Sequence, residues 1–336
     1  METIAIVGDG AMGTVCSKLL VEKGFSVRMW TPFVENAAAL ESTRENRRFL
    51  PGVKLPAELR IATDPAEAFV DAKLALSAVP CQFTRAWWRH LKPHYPGGIP
   101  ICSATKGIEN NTLLRATQIL AEVLTGSADG DVPLAVLSGP CIAREVAAGL
   151  PATVVAASSR GDLAAYVQQT FTTSRFRVYT NPDLIGVELA GATKNIIAIA
   201  AGILDGLRAG DNAKAALLTR GLAEITRLGA ALGGRRETFA GLAGLGDLVT
   251  TCVSPHGRNR SFGESVGRGK TRQQALDAIA GEVEGVATTK SVLDLARRHG
   301  VEMPITQAVH AVVFDGQKPA QAITELMSRP LKGETD

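Results

Sequence analysis

Residues 3–13 read TIAIVGDGAMG: an apolar run from Thr3 to Val7, then glycines at Gly8, Gly10 and Gly13. The run has the length and β-branched content of a strand buried on both faces. An apolar helical pattern continues through Leu19 and Leu20, and Ser26 to Trp30 (SVRMW) reads as a second strand. GxGxxG spacing alone is a weak signal; between a strand and a helix it marks a dinucleotide-binding turn. The glycines permit a tight turn and close backbone approach, and the helix N-terminus faces the pyrophosphate. A glycine turn without nucleotide is the competing reading.

The alternation continues outward. Leu74 to Val79, Ile99 to Ala104, Leu134 to Leu137 and Thr153 to Ala157 read as strands, with helical patterns between most of them. Three of these runs end in turn-forming motifs, SAVP at Pro80, SATKG at Lys106 and LSGP at Pro140. Open α/β sheets bind ligands beyond the carboxyl ends of their strands, which places Lys106 on the ligand side. A surface lysine in a turn is the alternative. After FRVYTNPD the pattern becomes helical, around Gly186 to Leu204, Ala213 to Leu232, Arg272 to Ala280, Thr288 to His299 and Ile305 to Phe314. The boundary falls near Asn181-Pro182, dividing the chain into 1–181 and 182–336.

Composition narrows the classes. A chain of 336 residues exceeds one ordinary core, and 46% hydrophobic with 21% charged residues describes a folded chain. The net charge of +3 is small, and the pairs Arg47-Arg48, Arg235-Arg236 and Arg297-Arg298 are scattered, so no nucleic-acid partner is expected. Five cysteines without CxxC or zinc-like spacing point to reduced thiols and no metal site. The chain enters a strand pattern directly after Met1-Glu2, with no signal peptide visible. The longest purely apolar run, near Ile196, is about half a bilayer span, so a soluble cytoplasmic protein without membrane insertion is expected.

Two stretches carry chemistry. Lys194-Asn195 interrupts GVELAGATKNIIAIAAGILDG, residues 186–206, where a helix would bury its core. An ammonium there is costly unless paired, and burial turns it toward a proton donor near neutral pH. Snorkelling from the helix edge is the bland alternative. In AGLAGLGDLVTTCVSPHGRNRSFG, residues 240–263, Asp247 follows a flexible glycine-rich run and Arg258-Asn259-Arg260 lies shortly after. Asp247 could be an ordinary helix cap. An arginine fork with amide donors suits a phosphate, although one of the two arginines is expected to be an exposed loop charge. Together these residues suggest hydride chemistry on a small phosphorylated ketone or alcohol, with lysine as proton donor.

At this point a family resemblance emerges. GDGAMG, NRRFLPG, SAVPCQF, SATKGIE, LSGPCIAREVAAGLP, GVELAGATKNIIAIAAGILDG, TRGLAEITRLG, AGLGDLVTTC, GRNRSFG, VEGVATTK and HGVEMPI resemble, in order over nearly the whole chain, the NAD(P)-dependent glycerol-3-phosphate dehydrogenases. The resemblance implies an α/β Rossmann-type dinucleotide-binding domain followed by an all-α C-terminal domain, and a homodimer. It implies reversible reduction of dihydroxyacetone phosphate to sn-glycerol 3-phosphate, a phospholipid precursor. By that resemblance Lys194 is the proton donor and acceptor. Lys106 is the second lysine at the substrate and lowers the pKa of Lys194, while Asn195, Asp247 and Thr251 orient lysines and substrate. Arg258 and Asn259 hold the phosphate, and Gly139 and Cys141 line the substrate side. Phe83, Ala143, Glu284 and Arg258 match cofactor-side positions beside Gly8, Gly10 and Gly13.

Several residues depart from the family pattern. Ala11-Met12 stand where a serine and an aromatic residue are common, and Cys141 where serine or threonine is usual. Gly257 replaces a frequent serine, and Glu282 a usually apolar residue near the cofactor. Trp30-Thr31-Pro32 lacks both the acid that favours NAD and an arginine for NADP, so Arg47 or Arg48 is expected to reach a 2′-phosphate, tilting the expectation toward NADPH. A same-fold oxidoreductase for another small phosphate or hydroxy acid, and a non-catalytic dinucleotide sensor, are the competing functions.

Overall fold

The computed structural model describes residues 2–331 together with Gly333 and Glu334. Its sheet begins with β1 (Thr3–Val7), whose last four residues are buried, flanked by β2 (Ser26–Trp30) and β4 (Ala72–Ser77). Beyond them lie β3 (Arg60–Ala62), β5 (Ile101–Ser103), β6 (Leu134–Ser138), β7 (Ala152–Ala157) and β8 (Phe176–Asn181). The order β3-β2-β1-β4-β5-β6-β7-β8 contains the six-strand order of a doubly wound nucleotide fold. Those six strands are parallel; β7 pairs antiparallel with β6, and β8 runs parallel to β7. Val7 sits opposite Trp30 on one side and Ser77 on the other, so three carboxyl ends finish level.

Two strands go beyond the sequence reading. β3 is three residues long, too short for a periodic signal. β8 alternates as an edge strand, with Phe176 and Val178 inward and Arg177 and Tyr179 outward.

The sheet is covered by α1 (Ala11–Glu22), α2 (Val34–Thr43), α3 (Cys81–Leu91), α4 (Ala116–Thr125), α5 (Ala143–Ala147) and α6 (Gly161–Phe171). After β8 the chain is helical: α7 (Leu184–Leu207), α8 (Asp211–Ala231), α9 (Arg236–Ala240), α10 (Asp247–Val253) and α11 (Arg258–Gly267). Then follow α12 (Arg272–Asp277), α13 (Glu284–Arg298), α14 (Pro304–Phe314) and α15 (Pro319–Met327).

The centre of the helical part is α7, buried continuously from Gly186 to Leu204. Asp183 caps it by accepting from Gly186 N–H at 2.8 Å. This helix is longer than the apolar run read from sequence: 24 residues with mean hydropathy 1.5, enough by length and composition to cross a membrane. Here 89% of its most apolar window is buried inside the protein. Several of its polar residues find partners on other elements of the fold. Glu188, for example, accepts from Thr117 N–H at 2.9 Å and Thr117 Oγ1 at 2.6 Å and pairs with Arg115, tying α7 to α4.

Helices α7 and α11 approach through glycines spaced four apart on both. A Cβ built on Gly202 or Gly206 would lie 1.9 Å from Arg260 O or 2.4 Å from Glu264 O. On α11, Cβ atoms at Gly263 and Gly267 would lie 2.0 Å from Ile199 O and 2.4 Å from Ile203 O. Residues four apart share a helix face, so two glycine ridges meet backbone to backbone. That contact fixes where the N-terminus of α11 stands against the middle of α7.

Candidate active site

The glycine turn sits at the level carboxyl edge of β1, β2 and β4. Gly8 has φ +110°, and a Cβ there would be 2.9 Å from Ala78 O. A Cβ on Gly13 would be 2.1 Å from Gly8 O, so the first and third glycines are steric requirements. Nothing lies within 4 Å of the Cβ position of Gly10, which opens outward at the N-cap of α1. No side chain caps that helix start, leaving its first N–H groups for an anion. These features fit a dinucleotide's pyrophosphate, with Ala11 and Met12 offering backbone donors.

The other residues expected on the cofactor side lie on several separate elements. Pro32 follows β2, Phe83 is exposed in the first turn of α3, and Ala143 opens α5. Arg48 is exposed, its guanidinium 4.9 Å from the Phe49 ring centroid. A Cβ built on Gly281 would be 3.5 Å from Phe49 Cε1 and 3.1 Å from Arg258 Nη1, bringing those segments together. Glu282 is exposed and makes no hydrogen bond or ion pair among the described residues. Glu284 accepts from Cys81 N–H; burial raises its carboxyl pKa, opposed chiefly by the charge of Arg258.

Two lysines meet one carboxylate at the centre. Lys194 Nζ donates to Asp247 Oδ1 at 2.7 Å, and Lys106 Nζ to Asp247 Oδ2 at 2.7 Å. Lys194 is 5% exposed: it does not snorkel. It also donates to Thr251 Oγ1, whose hydroxyl donates to Asp247 Oδ1 at 3.2 Å, leaving one ammonium N–H without an acceptor among the described residues. Lys106 donates to Gly139 O at 3.2 Å and lies 4.0 Å from Cys141 Sγ. The Cys141 thiol donates to Gly139 O at 3.1 Å; burial pushes its pKa up, against the pull of Lys106. Gly191 makes room for this meeting, because a Cβ there would be 2.9 Å from Ser138 Oγ and 3.6 Å from Lys106 Cγ.

The clasp separates the two lysines. Burial lowers the pKa of Lys194, Asp247 opposes that, and the charge of Lys106 lowers it further; the net direction is down. Lys106 also pays for burial, but Asp247 and the other neighbours outweigh it and push its pKa up. Burial raises Asp247, yet the two ammoniums hold it below the usual carboxylate range. The two ammoniums thus face one carboxylate from opposite sides, one with its pKa pushed down and the other with its pKa pushed up.

Asp247 corrects the sequence reading of its surroundings. The glycine-rich run before it is no flexible loop but a turn of π-helix, Leu242–Gly246, closed by Gly246 N–H to Gly241 O at 3.1 Å. A Cβ on Gly244 would be 2.0 Å from Phe239 O, so glycine permits this winding. Asp247 begins α10 and uses its carboxylate on the lysines, not as a cap.

The third group lies at the start of α11. Gly285 N–H donates to Asn259 Oδ1 at 3.0 Å, which orients that amide so that its Nδ2 donates to Asn195 Oδ1 at 3.0 Å. The relay leaves Asn195 Nδ2 with no acceptor among the described residues. Asn195 thus contacts Asn259 rather than the lysines. Arg258, the first residue of α11 after Gly257, is exposed and forms no ion pair or hydrogen bond among the described residues. Arg260 instead pairs with Asp205 at 2.7 Å and with Glu264. Neither arginine is a loop charge.

The structure therefore gathers Lys106, Lys194, Asp247, Thr251, Gly139 and Cys141, with Asn195, Asn259 and Arg258 joined to them through α7. Sequence reasoning passed over Asp9 and Ser138. Asp9 was visible as an acid inside the glycine motif, whereas Ser138 Oγ, buried without a partner among the described residues, gave no signal.

Comparisons with known proteins show the family. Residues 3–164 match the family model for the NAD-dependent glycerol-3-phosphate dehydrogenase N-terminus, and residues 183–324 that for the C-terminus. A glycerol-3-phosphate dehydrogenase [NAD(P)+] of Salinibacter ruber is 47% identical, over 99% of this chain and 97% of its own length. One from Chlorobium limicola is 48% identical over 98% and 99%. The crystal structure of glycerol-3-phosphate dehydrogenase from Coxiella burnetii superposes with TM-score 0.93 at 40% identity, covering 98% of this chain and 99% of that one. The chain belongs to the NAD(P)-dependent glycerol-3-phosphate dehydrogenase family.

Proposed function

We propose that Lys194 supplies the proton in the family's reaction here, the NAD(P)H-dependent reduction of dihydroxyacetone phosphate to sn-glycerol 3-phosphate. The observation that carries this reading is the pair of lysines on Asp247, with one pKa lowered and the other raised. The nicotinamide, when bound, supplies the hydride. Lys194 gives its proton to the oxygen of the reduced carbonyl, using the N–H that the protein leaves free, and recovers one in the reverse direction. Lys106 stays charged and opposes the negative charge that develops on that oxygen. Asp247 stays ionised and, with Thr251, aims Lys194.

Arg258, the N-terminus of α11 after Gly257, and the amides of Asn195 and Asn259 hold the phosphate. Gly139 and Cys141 line the substrate's other side. The backbone from Gly8 to Gly13 holds the pyrophosphate, with Pro32, Arg48, Phe83, Ala143, Glu282 and Glu284 around the rest of the dinucleotide and Lys106 and Arg258 touching both ligands. We place the division between the dinucleotide-binding and substrate-binding parts at Asn181-Pro182. A homodimer in the cytoplasm that feeds phospholipid synthesis completes the proposal; sedimentation velocity and cell fractionation check its first two parts.

The test is consumption of NADPH or NADH with dihydroxyacetone phosphate, beside other small phosphorylated ketones. Lys194→Ala is expected to lose about 10²–10⁴-fold in kcat while still binding the dinucleotide. A wild type inactive on dihydroxyacetone phosphate would sink the substrate assignment, and a fully active variant would remove Lys194 from proton transfer.

A further inference from the structure

We propose that Asp9 reads the 2′ position of the cofactor's adenosine ribose, accepting from a 2′-hydroxyl and disfavouring a 2′-phosphate. The inference rests on the proposed use of the glycine turn for a dinucleotide. In nucleotide-binding sheets of this order, the acid that takes the ribose hydroxyl stands at the carboxyl end of β2. Trp30-Thr31-Pro32 has none. The structure puts a carboxylate at the same place from the neighbouring strand.

Gly8 N–H donates to Trp30 O at 3.0 Å, which lays the loop after β1 against the end of β2. The next residue, Asp9, is 6% exposed. Its Oδ2 accepts from Thr31 Oγ1 at 2.7 Å and from Asn36 Nδ2 in the first turn of α2. Its backbone carbonyl accepts from Asn46 Nδ2 at 2.7 Å, so the residue is fixed on two sides. Oδ1 has no hydrogen bond, and no lysine, arginine or histidine pairs with the carboxylate among the described residues. Only neutral donors hold this charge. An acceptor oxygen is left open beside the β2 terminus, where a ribose hydroxyl supplies the missing donor. A phosphate dianion there would meet a like charge in a poorly screened setting. Arg48 lies over the Phe49 ring, 4.9 Å from its centroid, and makes no ion pair with Asp9 among the described residues.

Asp9→Asn keeps the shape and an amide oxygen for Thr31 and Asn36 but removes the charge. Wild type, Asp9→Asn and Arg48→Ala are titrated with NADH and with NADPH by fluorescence, and kcat/KM is measured with each. Contrary to the tilt toward NADPH expected from Arg47 or Arg48, wild type is expected to bind NADH more tightly. Asp9→Asn should shift the ratio of the two dissociation constants toward NADPH by about tenfold or more, with KM for dihydroxyacetone phosphate unchanged. Arg48→Ala, at a residue placed around the dinucleotide, should weaken NADH and NADPH to the same extent and so leave their ratio as it was. Equal weakening of both cofactors would make Asp9 a staple for the β2–α2 turn and overturn the proposal. An unchanged ratio in Asp9→Asn, or a ratio governed by Arg48, overturns it as well. Wild-type protein that binds neither dinucleotide overturns the underlying reading, and this one with it.

Discussion

Gly263→Ala sets two well-known effects against each other. Alanine in a helix interior is favoured over glycine by about 1 kcal/mol, so an unobstructed substitution in α11 would stabilise the protein. The new Cβ would lie 2.0 Å from Ile199 O, whereas ordinary contact begins at 3.4 Å. The obstacle is a backbone carbonyl of α7, which has no rotamer to yield. The helices must therefore part by about 1.4 Å, a strain of the kind that costs about 1–3 kcal/mol. Strain equals or exceeds propensity, and the net expectation is a loss of about 0–2 kcal/mol in denaturant unfolding, in place of the gain of about 1 kcal/mol that propensity alone would give. Gly161→Ala, at the start of α6 with nothing within 4 Å of its Cβ position, is the control and should not destabilise. Catalysis reports the same displacement. Arg258 and Asn259 ride on α11, and a shift of about 1 Å in a positioning element can cost about 10²-fold. Steady-state assays should show the loss chiefly in kcat/KM for dihydroxyacetone phosphate, with a smaller weakening of NADH through Arg258. A variant as stable as wild type, with an unchanged KM, would refute the idea that the glycine ridges set the position of α11.

Two further outcomes follow from the site. In the reducing direction Lys194 must be protonated, so kcat/KM falls as pH rises through its pKa; Lys106→Met removes a charge that lowers that pKa, and the basic limb should move to higher pH. A limb that stays put or moves down would count against the coupling. Arg258→Lys keeps the charge but loses the fork, and KM for dihydroxyacetone phosphate should rise by about tenfold or more, with a smaller change in kcat. Unphosphorylated dihydroxyacetone should be used equally poorly by both proteins; a variant equally impaired on it would show that Arg258 does not act through the phosphate.

Legibility in the sequence followed periodicity. β1 and β2 form at the residues read for them because their apolar runs abut glycines and turns, and α14 starts within a residue of its expected place. Lys106 was placed on the ligand side because the sheet rule needs only strand order. Lys194 stood out because a charge in an apolar helix demands a partner. α11 gave little periodic signal, since only Phe262 and Val266 stand for an apolar stripe beside its glycine ridge, and GRNRSFG read as a loop. The π-helical turn before Asp247 read as flexible because its glycines serve a close crossing over Phe239. The amide relay through Gly285, Asn259 and Asn195 joins residues far apart in sequence by single contacts that no local pattern encodes.

Asp247 takes one lysine from the sheet and one from the helices. Until those two parts meet, Lys106 has no counter-ion and water has no reason to leave it. The clasp is thus a signature that both halves of the chain must endorse. During refolding, competence for proton transfer should arrive with the joining of the halves, later than the secondary structure of either one.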